Sequence, residues 1–158
     1  MTRVPEKKIM NQATKRTLNL SCLAAAACLT VWATDPNVFV IWSNQQLKAF
    51  RKTEMLADYG NHNARMTHRD KDGEVEIHAD WTDVFVIETG SATLLIGGTP
   101  VKPHSTGPGE TRAESVTGGD KHPVVPGDIV HIPAGIPHQF LVEKGKTVDY
   151  FALKVPAK

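Results

Sequence analysis

The sequence predicts a single all-β domain, an antiparallel sandwich or barrel preceded by one short helix, and three observations carry that prediction. From Ala64 onward the apolar residues fall in short runs of strand length, rich in Val, Ile, Thr and Phe. Turn-forming pairs separate the runs: Asp72-Gly73, Thr89-Gly90 and Gly97-Gly98. The 158 residues, 41% hydrophobic and 22% charged, give room for one ordinary globular domain, and the close spacing of the runs leaves no place for crossover helices between parallel strands.

The first 33 residues read as an export leader. A basic stretch ends in Lys15 and Arg16, an apolar run extends from Leu18 to Trp32, and Val31 and Ala33 fit the small-residue pattern before a cleavage point, placing a mature N-terminus at Thr34. A run of about 15 residues, many of them alanine, is shorter than the roughly 20 that span a bilayer, which favours cleavage over a membrane anchor. Exported in this way, the protein is expected in a periplasm or outside the cell, with no stable membrane insertion. Five of the 18 Lys and Arg lie in the leader beside one acid, Glu6; the remainder carries 13 basic against 16 acidic residues, a mildly acidic domain that makes nucleic acid an unsuitable partner. Cys22 and Cys28 depart with the leader, so disulfides, thiol nucleophiles and thiolate metal sites are excluded. All seven histidines stay.

Along the remainder, 34–60 reads as a strand and helix and 61–158 as the barrel. Val38 to Trp42 has strand composition. Ser43 with Gln46 has the form of a capping box and predicts a helix from Asn44 to about Asp58, with Leu47 and Phe50 inward and Gly60 as its stop. Strands are predicted at 64–69, 74–79, 82–88, 91–97, 129–132, 137–142 and 147–154. The Gly-, Pro-, Ser- and Thr-rich segment between Gly98 and Gly127 reads as the longest loop, either a mobile lid or a solvated excursion.

Without thiols, chemistry must rest on histidine and carboxylate. Glu76 and His78, two apart in a strand, project from one face; Asp80 shares that parity. Asp83 begins the next run, which turns at Gly90, and far downstream the stretch from Gly127 through Pro133 and Gly135 ends on His138. His131 sits in an otherwise apolar run, so it is either a buried hydrogen-bonded residue or a cavity-facing acid/base, the role for which histidine's titration range suits it. His62, His68, His104 and His122 have no pattern around them and read as surface or loop histidines; Trp81 and Phe85 read as core or rim packing.

These residues carry a resemblance. Gly127, Pro133, Gly135 and His138 match the second motif of the cupin family, G-x5-P-x-G-x2-H-x3-N, with Val142 in place of the final asparagine. Glu76, His78, Asp83 and Gly90 match the spacing of its first motif, H-x-H-x(3 to 4)-E-x6-G, with Glu for the first His and Asp for Glu. The chain resembles cupins from about Ala64 to Val155, which implies a cupin-type antiparallel β-barrel, a double-stranded β-helix or jelly roll. It also implies a divalent metal held by His78, Asp83 and His138, with Glu76 standing where the family has a histidine. Two imidazoles with one or two carboxylates suit Fe, Mn, Ni, Zn or Cu, and two His with one carboxylate is the donor set of non-haem iron oxygenases. Aspartate is a methylene shorter than glutamate, so Asp83 either meets the ion directly or acts through water, or Asp80 takes its place.

Two functions follow. One is a metal-dependent enzyme on a small molecule, of oxygenase, isomerase or decarboxylase type, with Glu76 or His131 as acid/base and oxygenation ahead of isomerisation. The other is a barrel that binds a metal or small ligand without turning it over. Cupins commonly pair through outer strands, which implies a homodimer.

Overall fold

In a computed structural model of the chain, the residues described are 34–158. Residues 1–33, read from sequence as an export leader, lie outside them. Among the described residues no helix is long and apolar enough to cross a membrane.

Among the described residues thirteen strands follow one helical turn, and all their pairings are antiparallel. The turn, α1, is Asn44–Leu47. Its capping box forms as the sequence implies: Ser43 Oγ accepts from the Gln46 N–H, and Gln46 accepts from the Ser43 N–H at 2.9 Å. The helix stops there and does not run on to Asp58. Isolated helices with few apolar anchors are marginal, and residues Glu54–Asp58 instead form strand β1, whose ladder with β2 (Asn63–Arg69) buries Ala57. The strand expected at Val38 to Trp42 is absent; those residues run irregularly, with Phe39 and Ile41 exposed.

The expected barrel strands are all present: β2, β3 (Val75–His78), β4 (Trp81–Gly90), β5 (Ala92–Ile96), β11 (Ile129–Ile132), β12 (His138–Leu141) and β13 (Val148–Pro156). The loop expected between Gly98 and Gly127 is a correction. It folds as β6 (Thr99–Val101), β7 (His104–Gly107), β8 (Glu110–Ala113), β9 (Ser115–Thr117) and β10 (Asp120–Val124). Its glycines at 109, 118 and 119 take positive φ in the turns between strands, not within them. Its prolines sit where an absent N–H does no harm, Pro123 on the edge strand β10 and Pro100 in the two-stranded ribbon β6-β9.

Two sheets face each other, β1-β2-β13-β4-β11 and β10-β5-β12-β3-β8-β7. Between them lies a core of Phe85, Ile87, Leu94, Phe140, Val148 and Tyr150, with Val142, the residue in place of the family asparagine, buried among them. The motif glycines hold this frame together. Gly90 has φ +72°, and a Cβ there would stand 1.9 Å from the Thr147 carbonyl oxygen, so only glycine lets the β4-β5 turn close on the start of β13. Gly127 N–H donates to the Ile87 carbonyl at 2.8 Å, and Gly135 N–H donates to the His78 carbonyl at 2.7 Å, so the second motif is pinned to the strands of the first.

Candidate metal centre

Strand parity decides what enters the barrel. On β3, Glu76 and His78 point inward; on β12, His138 stands opposite Glu76. On β4 the alternation that buries Phe85 and Ile87 also buries Asp83, a fully enclosed carboxylate. The three strands thereby bring together four of the residues expected at a site. Asp83 Oδ2 lies 3.2 Å from His78 Nε2 and 3.3 Å from His138 Nε2, and Glu76 Oε2 lies 3.5 Å from His78 Nε2. Ligating atoms of Glu76, His78 and His138 fall within 4.8 Å of one another.

His131 is not brought there. Its neighbour Ile132 is buried opposite Asp83, so His131 takes the outward parity of β11 and is exposed. Asp80 is exposed too, beside Gly109, so the aspartate that meets both imidazoles is Asp83. The other histidines lie outside: His62 stacks on Tyr59, His68 bonds Asp149 at 2.6 Å, and His104 and His122 are exposed. Trp81 is half-buried at the start of β4, and Phe85 packs on Phe140 and Tyr150, as core.

Several neighbours had no signal in the motifs. Glu110 accepts from His78 Nδ1–H at 2.7 Å; it comes from β8, within the segment read as loop. Arg69 donates to Glu76 at 3.0 Å and to the Tyr150 hydroxyl at 2.9 Å, and Arg112 approaches Glu76 to 3.6 Å. Lys154 lies 2.7 Å from His78 Nε2 and 3.3 Å from Asp83 Oδ1. Parity along β13, where Val148, Tyr150 and Ala152 are buried, would have placed Lys154 inward.

The electrostatics describe a seat for positive charge. Burial would raise the Asp83 carboxyl, but hydrogen bonds from His138 and His78 and the Lys154 charge outweigh it and hold the group well below the usual carboxylate range. For Glu76 burial is again opposed, by a hydrogen bond to His78 and the charges of Arg112 and Arg69, and its pKa falls to about 2. Burial would lower His78; bonds to Asp83 and Glu76 win and raise it to about 9. The Lys154 contact, by contrast, needs the bare lone pair of Nε2. A proton and the Lys154 ammonium group thus compete for that lone pair, and both are cations.

A divalent metal is a third candidate for the same position, and the residues fit one. Ligands at about 2.1 Å from a common ion stand roughly 3.0 to 3.4 Å apart in octahedral or tetrahedral geometry, close to the 3.2 and 3.3 Å spacings of the two imidazoles from Asp83. Asp83 Oδ1 is buried without a hydrogen-bond partner, although Lys154 comes near, and an orphaned buried carboxylate oxygen calls for a cation. His78, with Nδ1–H held by Glu110, presents Nε2 as a metal ligand does when a carboxylate fixes the tautomer. Glu76 fits less well, because both of its oxygens already face arginine.

Three of the four, Glu76, Asp83 and His138, help to line a cavity of about 90 Å³, together with Asn63, Arg65, Thr67, Arg69, Tyr150 and Lys154.

No protein-family model matches the sequence, and no curated protein matches it. Several of the solved structures that resemble the chain are described as cupin or cupin-like proteins. The protein BH2720 of Bacillus halodurans superposes with a TM-score of 0.57 at 16% identity, over 80% of this chain and 86% of that one. A cupin 2 conserved barrel domain protein of Rhodopseudomonas palustris gives 0.47 at 22% identity over 67% and 61%. The DMSP lyase DddQ of Ruegeria pomeroyi gives 0.46 at 17% over 65% of this chain and 45% of that one. At such identities the likeness concerns the fold alone.

Proposed function

We propose that this protein is an exported, metal-dependent enzyme acting on a small molecule inside the barrel, with one divalent first-row ion held by His78, His138 and Asp83. The observation that carries the reading is the convergence of both imidazole Nε2 atoms on Asp83 Oδ2 at 3.2 and 3.3 Å, next to a second Asp83 oxygen with no hydrogen-bond partner. Bound there, the ion supplies Lewis-acid or oxygen chemistry of the kind associated with two histidines and one carboxylate. Glu110 holds the His78 ring in the tautomer that exposes Nε2. Glu76, kept ionised by Arg69 and Arg112, is placed beside His78 as a proton acceptor rather than as a donor. Oxygenation precedes isomerisation and decarboxylation among the reactions this donor set serves.

A second reading is favoured by a specific contact. Lys154 Nζ at 2.7 Å from His78 Nε2 fills the position a metal would take, which describes a barrel that binds small ligands and does no metal chemistry. Titration of chelator-treated protein with Mn, Fe, Ni, Zn and Cu salts separates the two. The enzyme reading expects one equivalent bound by at least one of them and, with iron, substrate-dependent oxygen uptake. Failure of all five to bind would leave the second reading standing. We also take the chain to act as a homodimer, a pairing that exposed Phe39, Ile41 and Ile129 support and that sedimentation of the mature domain tests.

A further inference from the structure

The cavity and the side chains that contact its lining carry a charge pattern that the metal ligands do not account for. Four cationic side chains surround the site: Arg65, Arg69, Arg112 and Lys154. Four carboxylates answer them: Glu74, Glu76, Asp83 and Glu110. With neutral imidazoles the set is balanced, and seating a divalent ion at His78, His138 and Asp83 leaves it two positive charges in excess.

The excess has a definite address. Arg69 is engaged by Glu76 and Tyr150, Arg112 by Glu110 and Glu76, and Lys154 by Asp83. Arg65 is different. It stands opposite Ala152 on the inner face of β2, one inward-facing position along from the Lys154 and Asn63 pair. It lines the cavity, is only partly exposed, and among the described residues has neither an ion pair nor a side-chain hydrogen bond. A guanidinium presented to a cavity without an acid is a dock for a planar anion, because its fork of N–H groups matches a carboxylate in two parallel hydrogen bonds.

Size narrows the ligand. At about 11 to 15 Å³ for each water-sized sphere, a cavity of about 90 Å³ holds roughly six to eight of them, the scale of a molecule with about as many non-hydrogen atoms. Building on the metal-centre reading above, we infer that the substrate is a small carboxylate, its acid group docked on Arg65 and its other end directed to the metal-binding residues.

The test uses malonate as the probe and its diamide, malonamide, as the uncharged match. Calorimetric titration compares wild type, Arg65→Gln and the charge-retaining Arg65→Lys, each loaded with manganese, with metal content measured on the same samples. Malonate should bind wild type and malonamide should not. Arg65→Gln should weaken malonate by roughly tenfold to a hundredfold, the worth of a hydrogen bond to a charged group, with metal content unchanged, and Arg65→Lys should recover part of the loss. Equal binding of malonate by wild type and Arg65→Gln, or of malonate and malonamide by wild type, overturns the inference. If wild type holds no manganese or any other ion, the metal-centre reading is what has failed. The same titrations on the metal-free protein then decide the carboxylate site alone: malonate binding that needs Arg65 supports it, and absence of binding overturns it.

Discussion

Lys154→Met removes the ammonium group that competes for the metal position while keeping an unbranched side chain of similar length in the barrel. At the 3.3 Å separation of Lys154 Nζ from Asp83 Oδ1, two unit charges in an effective dielectric of 20 attract by about 5 kcal/mol. Desolvation cancels part of this, and breaking a buried pair from one side typically costs about 3 kcal/mol or more, because the partner loses its countercharge while staying enclosed. Asp83 is that partner, with both oxygens out of water. The metal-free variant should therefore lose about 3 kcal/mol, which for a domain of this size lowers Tm by roughly 10 °C. Metal binding should move the other way. The ion no longer has to displace an ammonium group, and recovery of the whole 3 kcal/mol would tighten it on the order of 100-fold. Thermal melts with and without chelator give the first quantity, and competition against a chromophoric chelator gives the second. An affinity that is unchanged or weaker in Lys154→Met would show that the lysine does not contest the site, and the competition argument would fail.

Proton competition predicts a pH dependence. The folded pKa of His78, about 9, lies above its ordinary value of 6.5, so its proton stabilises the metal-free fold fully below pH 6.5, and that contribution is lost as pH rises through 9. Metal affinity should run oppositely, rising up to roughly tenfold per unit as pH approaches 9 from below and flattening above; chelator competition at three pH values checks it, and a flat profile would contradict the carboxylate-held proton. Gly90→Ala should be among the most damaging single changes on the surface of the barrel, since its Cβ would meet the Thr147 carbonyl at 1.9 Å; a near-normal denaturant midpoint would show that the turn can reopen cheaply. Expression of the full chain should yield a product that begins near Thr34 by intact mass, and recovery of the full-length chain from membranes would reject the leader assignment.

The barrel was readable from sequence because its signals are local and repeated. Alternation along β4 and β13 and the turn glycines each mark an element without reference to the others, and Gly127, Pro133, Gly135 and His138 do so at a spacing the fold requires. The N-terminal helix was overextended because a capping box marks where a helix starts and says nothing about how far it goes. Residues Glu54–Asp58 were claimed by pairing with β2, a tertiary effect invisible in the segment itself. The segment from Gly98 to Gly127 misled for a related reason: short edge strands tolerate Gly and Pro, so composition alone could not distinguish them from loop. At the site, parity placed Glu76 with His78, and the motif spacing added His138 and Asp83. It failed for His131, whose apolar neighbours Val130 and Ile132 supply the inward face of β11. Arg65 and Arg69 have no motif around them, and Ala64 and Met66, the apolar residues of β2, are buried on the face away from the cavity. Met66 turns toward Leu47 and Phe50 at the N-terminal turn, and the charged face lines the cavity.

The central claim is that His78, His138 and Asp83 form one metal site, and metal analysis of three purified, folded proteins tests it most directly. Wild type should carry one equivalent of a divalent first-row ion after loading and desalting. His138→Ala should carry none while keeping its β circular dichroism, because the core of Phe85, Phe140 and Tyr150 does not depend on the ion. His104→Ala, changed on the exposed strand β7, should match wild type. A wild type that retains no metal, or a His138→Ala variant that retains a full equivalent, would contradict the account.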